Sequence, residues 1–248
     1  MRFFIKRKSK IINKAAFGSA LLMVSAFALL NPVGPQAAEK EELPKTAQTP
    51  GPIKEFTARS VFEKLQTSSL EILPPTVRLD MLDYWDVDSV YKASNAMEGL
   101  SWLEKVTPSY LKVHISAVST LEIKILPEKK EKIAMTVYTV GDDVQAQDSE
   151  IKFFDENLAE LPGSKYFTMP NVKDFFEIPK GSATKMKEIE QMIPFPTIAF
   201  NANPDNDNLE ARLTVEQYIN EDDWNIAKLF AKPDLKLEWK KDKFRIVK

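Results

Sequence analysis

The sequence predicts an α+β protein in which helices cover one face of an antiparallel sheet. Three observations carry this. Two N-terminal segments repeat their apolar residues at helical spacing. From Ser101 to Phe154 the period switches to two, in five short runs separated by polar turns. The order of helix followed by strands then recurs, first over 62–154 and again over 172–247. That recurrence suggests two similar helix-plus-strands halves, placed here at 56–161 and 162–248.

The first 55 residues stand outside this pattern. Residues 1–14 carry six basic side chains, Arg2, Lys6, Arg7, Lys8, Lys10 and Lys14, and no acidic one. An apolar run follows to Leu30, then Asn31, Pro32, Gly34 and Pro35, then Ala37-Ala38. Basic, apolar, then helix-breaking and small is the order of a signal peptide, assigned to 1–38. Gln36 stands where a small residue is usual, so the cleavage position stays open, with an uncleaved anchor as the alternative. The apolar run is shorter than the roughly 20 residues of a membrane span. Residues 39–55, rich in Glu, Lys, Pro, Thr and Gln, cannot bury enough apolar surface to order themselves and read as a flexible linker.

The next elements follow in order. Ser60-Val61-Phe62-Glu63-Lys64-Leu65 forms a short helix with Val61, Phe62 and Leu65 on one face and Ser60 as its cap. Pro75 suits a first helical turn, where a missing N–H costs nothing. A second helix is expected from Thr76 towards Lys92, with Leu79, Leu82 and Val90 at helical spacing and Leu79 and Leu82 packed inward. Residues 95–99 break it. Strands are expected at 102–106, 110–115, 120–125, 132–140 and 150–154, as an antiparallel meander. The alternation assigns Lys112, His114, Glu122 and Lys124 to a solvated face.

In the second half, 172–177 reads as a helical turn. Residues 182–193 make a helix with Met186, Ile189 and Ile193 on one face and Pro194 as its stop. Strands are expected at 197–201 and 209–215. Asn220-Glu221-Asp222-Asp223 then opens a helix carrying Trp224, Ala227 and Leu229, its acidic residues suiting the positive helix end. A C-terminal hairpin pairs 235–239 with 244–247 across a turn at 240–242.

Several chemistries are disfavoured. No cysteine occurs among the 248 residues, which removes disulfides, thiolate metal sites and cysteine nucleophiles. The formal charge of −2 includes the basic N-terminus, so the remainder is more acidic and a nucleic-acid partner is disfavoured. His114 is the one histidine, with Ser116 and Ser119 nearby but no nucleophile elbow. Seven glycines and no P-loop or dinucleotide fingerprint speak against phosphate-cradling loops. Asn203-Pro204-Asp205-Asn206-Asp207-Asn208 has the oxygen content of a Ca²⁺ loop but lacks its glycine and terminal Glu, and reads as a turn. No cofactor, metal site or catalytic residue is assigned.

One charged cluster remains. Asp80, Asp83, Asp86 and Asp88 follow Arg78 on the second helix. Asp80 and Asp83, three apart, share a face. Such carboxylates are able to hydrolyse a glycosidic bond when one is protonated and the pair flanks a sugar. The structural alternative is a buried ion pair between Arg78 and an Asp that fixes the helix on the sheet. Arg78, Asp80 and Asp83 are therefore the candidate binding residues.

Leu73-Pro74-Pro75 with Arg78-Leu79-Asp80-Met81-Leu82-Asp83-Tyr84 resembles the signature of an uncharacterised family of secreted proteins of Bacteroidales bacteria, one carried as a domain of unknown function. Three further blocks are similar: Val106-Thr107-Pro108-Ser109-Tyr110-Leu111-Lys112 running into Ser119 to Pro127; Asp148-Ser149-Glu150-Ile151-Lys152-Phe153-Phe154-Asp155 leading to Asp174-Phe175-Phe176; and Trp239-Lys240-Lys241-Asp242-Lys243-Phe244. The resemblance implies export in a two-membrane bacterium, to periplasm or beyond, and a shared fold. It implies no activity, cofactor or site. The residues thus favour a non-enzymatic exported protein whose partner is an envelope protein, a peptide or a glycan, with no transmembrane span in the mature chain. The alternative is a carboxylate-dependent, glycan-directed hydrolase of the envelope.

Overall fold

The computed structural model describes residues 55–87, 91–129, 131–142 and 144–247. The signal peptide, the linker apart from Glu55, and the expected roles of Asp88 and Val90 lie outside the described residues.

Helix α1 spans Ala58–Lys64. Its cap is Thr57, not Ser60. Ser60 N–H donates to Thr57 Oγ1 at 3.2 Å and Thr57 N–H donates to Ser60 Oγ at 2.9 Å, a reciprocal capping box. Ser60 is its third helical residue, which is why a Ser just before an apolar run misled. Helix α2 spans Pro75–Trp85, with Pro75 in the first turn as expected. It stops seven residues short of Lys92, which instead opens strand β1, Lys92–Ser94. The inward face of α2 also differs from expectation. Arg78, Met81 and Leu82 are buried and Trp85 half-buried, the i, i+3, i+4, i+7 stripe. Leu79 lies outside that stripe and is 43% exposed.

Strands β2 (Leu100–Val106), β3 (Tyr110–Ser116), β4 (Ser119–Glu128), β5 (Glu131–Val140), β6 (Asp148–Phe154) and β7 (Glu160–Leu161) follow β1. The seven pair in chain order, all antiparallel; the five expected strands are β2 to β6, and β1 and β7 lengthen the meander by one short strand at each end. At the β1–β2 turn, Asn95 Oδ1 accepts from the N–H groups of Met97 and Gly99, both at 3.0 Å.

Helix α3 (Gly163–Tyr166), a 3₁₀ turn (Val172–Phe175) and helix α4 (Ala183–Met192) lead to the second sheet. On α4 and just beyond it, Ile189 and Ile193 are buried as expected. Strands β8 (Ile198–Ala202) and β9 (Asn208–Leu213) come next, then helix α5 (Glu221–Ala227), β10 (Leu235–Trp239) and β11 (Phe244–Ile246). The second sheet has the order β11-β10-β9-β8, again antiparallel throughout. Asn220 caps α5, accepting from Asp222 N–H at 2.8 Å. Leu229 falls past the helix end and is exposed.

The α+β class follows from how these layers close. Alternate residues of each strand face opposite sides. On one side, Val113, Ile115, Leu121 and Ile123 pack against Val61 and Phe62 of α1 and Met81 and Leu82 of α2. On the other, Leu126, Ile133, Met135 and Val137 join Phe200, Leu209 and Leu237 of the second sheet, with Ile189 and Ala227 of α4 and α5.

The second sheet meets the first through the edge of β8. The register of β8 on β9 turns the N–H groups of Ile198, Phe200 and Ala202 away from β9. Each ends on a side chain of the first sheet: Asp148 Oδ1 at 3.1 Å, Ser149 Oγ at 3.0 Å and Glu122 Oε2 at 2.6 Å. β8 thus crosses from β6 to β4, and its otherwise open edge is sealed. This corrects the expectation for two side chains. Glu122 and Lys124 are 4% and 3% exposed, because the β8–β9 region lies over them. Lys112 and His114, one strand further out, stay half-buried.

Candidate functional site

Arg78 comes from the buried stripe of α2 and is 1% exposed. Its Nη1 donates to Phe62 O at 2.6 Å, at the end of α1, while its Nε finds no partner among the described residues. Burial lowers the guanidinium pKa, with Glu63 opposing. No described carboxylate lies within ion-pair distance, so the expected Arg78–Asp pair is replaced by a hydrogen bond that ties α2 to α1. Asp80 and Asp83 point outward and are exposed. Among the described residues, an ion pair forms instead between Arg59 of α1 and Asp86, just past the end of α2, at 2.8 Å. Arg78 is thereby separated from Asp80 and Asp83, and neither carboxylate lines the grooves described below.

His114 stacks on Trp102, with centroids 4.3 Å apart, and Lys92 Nζ stands 4.6 Å from the Trp102 ring centroid. Its Nε2 lies 2.5 Å from Glu104 Oε2, and Lys112 Nζ reaches Glu104 Oε1 at 3.1 Å. Ser116 and Ser119 hydrogen-bond each other, at 2.7 Å. A triad would need a serine hydroxyl on His114, and none is there. Burial works against the ionised Glu104, but hydrogen bonds from His114 and Lys112 hold its carboxyl below the ordinary range.

The same face continues inward to a second carboxyl. Burial pushes Glu122 up to about 7, against the opposing hydrogen bond from Ala202 N–H and the charge of Lys112. Lys124 donates to Asn203 O at 3.1 Å and stands 3.8 Å from Asp207. Asn203 Oδ1 accepts from Asp205 N–H at 2.9 Å, so the Asx-rich run is a turn, as its composition suggested. This cluster joins the two sheets. Sequence periodicity placed its residues on one face but did not show what covers that face.

Sequence reasoning missed the concave surfaces. On the helix side of the first sheet, α1 and α2 pack on β1 to β4, and residues 65–72 reach over part of β5 and β6. A groove of about 320 Å³ runs there between residues 65–72 and the sheet. Ser68, Ser69 and Glu71 form one wall, and Thr136, Tyr138 and the Glu150–Lys152 pair, 3.2 Å apart, form the floor. A smaller hollow continues it past Gln66 to Ala159 and Glu160. A third, wider cleft lies between the β4–β5 and β6–β7 turns. There Lys165 pairs with Glu128 at 2.6 Å and Tyr166 Oη donates to Glu128 at 3.1 Å. The signal available in sequence was the Thr136, Tyr138, Glu150 and Lys152 set: polar groups on the strand face otherwise occupied by core residues. Among the described residues, no group of three or more metal-ligating side chains converges.

The class of protein this defines is a two-sheet α+β domain with an uncovered groove on its helix side. The fold is similar to that of a domain of an uncharacterized protein from Porphyromonas gingivalis W83, at a TM-score of 0.65 and 21% identity, covering 76% of this chain and 96% of that one. No curated protein matches the chain. Residues 53–244 match a family described as a protein of unknown function, DUF3256, and the chain belongs to that family.

Proposed function

We propose that this is an exported, non-enzymatic binding protein of the bacterial envelope, which holds a partner protein, peptide or glycan in the groove between residues 65–72 and strands β5–β6. The observation that supports this most is the groove itself. It combines the apolar side chains of Ile115, Leu121 and Phe154 with hydroxyls and both signs of charge on its wall and floor. Export rests on the order of basic, apolar and small residues over 1–38, and the likeness to a Porphyromonas gingivalis domain supports a Bacteroidales origin.

The test uses two variants. Ser69→Trp fills the groove from an exposed position, and Tyr138→Ala strips its floor at a half-buried side chain that packs on the helix-side core. A partner captured from envelope extract by the wild type and lost by both variants, at a temperature where both are folded, is the expected result. Capture of nothing above background, or equal capture by all three proteins, counts against the reading. For export, mass spectrometry of the protein from periplasmic and external fractions is expected to find it without residues 1–38. Recovery of the intact chain in the cytosol alone would sink that part.

A further inference from the structure

Thr136 is 6% exposed, on the helix-side face of β5, between Ile123 of β4 and Lys152 of β6. Its hydroxyl makes no hydrogen bond to the described residues. The other buried hydroxyl residues, Ser101, Ser119, Ser149 and Thr214, each hydrogen-bond within the protein. Buried polar groups are rarely left unpaired. Yet the Thr136 hydroxyl is not sealed in, because among the described residues the fully enclosed side-chain polar atom without a partner is Arg78 Nε. It therefore opens on the space that Thr136 lines, the groove under residues 65–72.

The hydroxyls of Tyr138 on the floor, and of Ser68 and Ser69 in the 3₁₀ turn Thr67–Ser69 on the wall, are likewise without partners among the described residues. Thr136 and Tyr138 stand two apart on one strand, so about 7 Å separates them on the same face. The wider cleft at the β4–β5 turn differs: its Glu128, Lys165 and Tyr166 already satisfy one another.

These groups narrow the ligand. A hydroxyl both donates and accepts, so four of them suit a molecule that does the same around its rim, as a sugar does. The floor offers no backbone to a peptide, because β5 is paired on both sides. Glu150 and Lys152 neutralise each other at 3.2 Å. Glu71, exposed on the wall and without a described counter-ion, repels an anion. The half-buried Tyr138 ring supplies a surface for the apolar face of a sugar ring. The volume of about 320 Å³ is at the lower end for a small-molecule site, which limits the bound part to one or two rings.

We propose that the groove binds an uncharged glycan through one or two sugar rings. Sugar hydroxyls bond Thr136, Ser68 and Ser69, and the apolar face of a ring lies on Tyr138. The proposal rests on the binding reading above and narrows its partner to a glycan.

The probes are cellobiose, maltose and N,N′-diacetylchitobiose, all uncharged, with digalacturonate as the charged comparator. Each is titrated against the whole protein and followed by saturation-transfer NMR. Saturable binding of at least one uncharged disaccharide, and none of digalacturonate, is expected. Thr136→Val keeps the shape of the side chain and suits a strand. It should weaken that binding about tenfold, the equivalent of one hydrogen bond, with Tm equal to or above that of the wild type. Ser69→Trp, from its exposed position, should abolish binding. A lower Tm for Thr136→Val would show that its hydroxyl has a partner within the protein, which overturns the proposal. Equal affinity in the wild type and both variants places the sugar elsewhere and overturns it too, as does digalacturonate binding as tightly as the uncharged probes. No binding of any probe, with an envelope protein still captured by the wild type and lost in Ser69→Trp, overturns the glycan and leaves the groove reading standing. No binding and no capture overturns both.

Discussion

At the residue scale, Arg78 departs furthest from its ordinary habits. A guanidinium is rarely fully buried without a carboxylate, yet Arg78 stands at a position a leucine would fill and binds Phe62 O. Arg78→Ala removes that bond and leaves both a cavity and an unsatisfied carbonyl. A loss of roughly 2–4 kcal/mol is expected, read from the denaturant midpoint. Asp80→Asn and Asp83→Asn, on the exposed face, should each stay within about 0.5 kcal/mol of wild type. A large loss from either Asp variant would show that its carboxylate has a structural partner. The cluster Arg78, Asp80 and Asp83 was legible in the sequence, but its division was not. Spacing put the aspartates together, whereas only the packing of α2 on α1 showed that Arg78 turns away from them.

At the element scale, the meander was readable because each strand alternates and each turn carries its own chemistry. The β5–β6 connection illustrates this. Gly141 has φ +107°, a backbone conformation L side chains rarely adopt, and a Cβ there would meet Ala146 O at 2.5 Å. Gly141→Ala is therefore expected to cost roughly 1–3 kcal/mol, seen as a lower Tm, through strain in the turn that fixes β6 beside β5. An unchanged Tm would mean the turn relaxes freely. Helix ends were less legible. Thr57 and Ser60 cap reciprocally, so either reads as a cap, and α2 ends by yielding Lys92 to a strand whose pairing partner, Trp102, is ten residues away.

At the scale of the whole molecule, the junction of the two sheets sets the pH response. Glu122 rises from 4.5 to about 7 on folding, chiefly by burial. A carboxyl with a raised folded pKa holds its proton more tightly in the native state. Its stabilising contribution is complete below pH 4.5 and is lost as pH climbs through 7, by roughly 3 kcal/mol in all. Glu122→Gln keeps an oxygen for Ala202 N–H and carries no titrating proton. It should flatten most of that slope in urea midpoints measured from pH 4.5 to 8 and raise stability at pH 8. A slope equal to that of the wild type would remove Glu122 as its source. Because Glu122 receives the N–H of β8, both sheets should feel this titration together.

The sequence by itself determined the class, the five central strands of the meander and their pairing, because those follow from local periodicity and turn chemistry. It also marked Glu122, Lys124, Lys112 and His114 as sharing one face of adjacent strands. The tertiary structure alone decided which of them are buried, since alternation assigns a side to each residue but not what lies over that side. It likewise decided that the edge of β8 is sealed, because an edge is closed only through groups that arrive from distant parts of the chain.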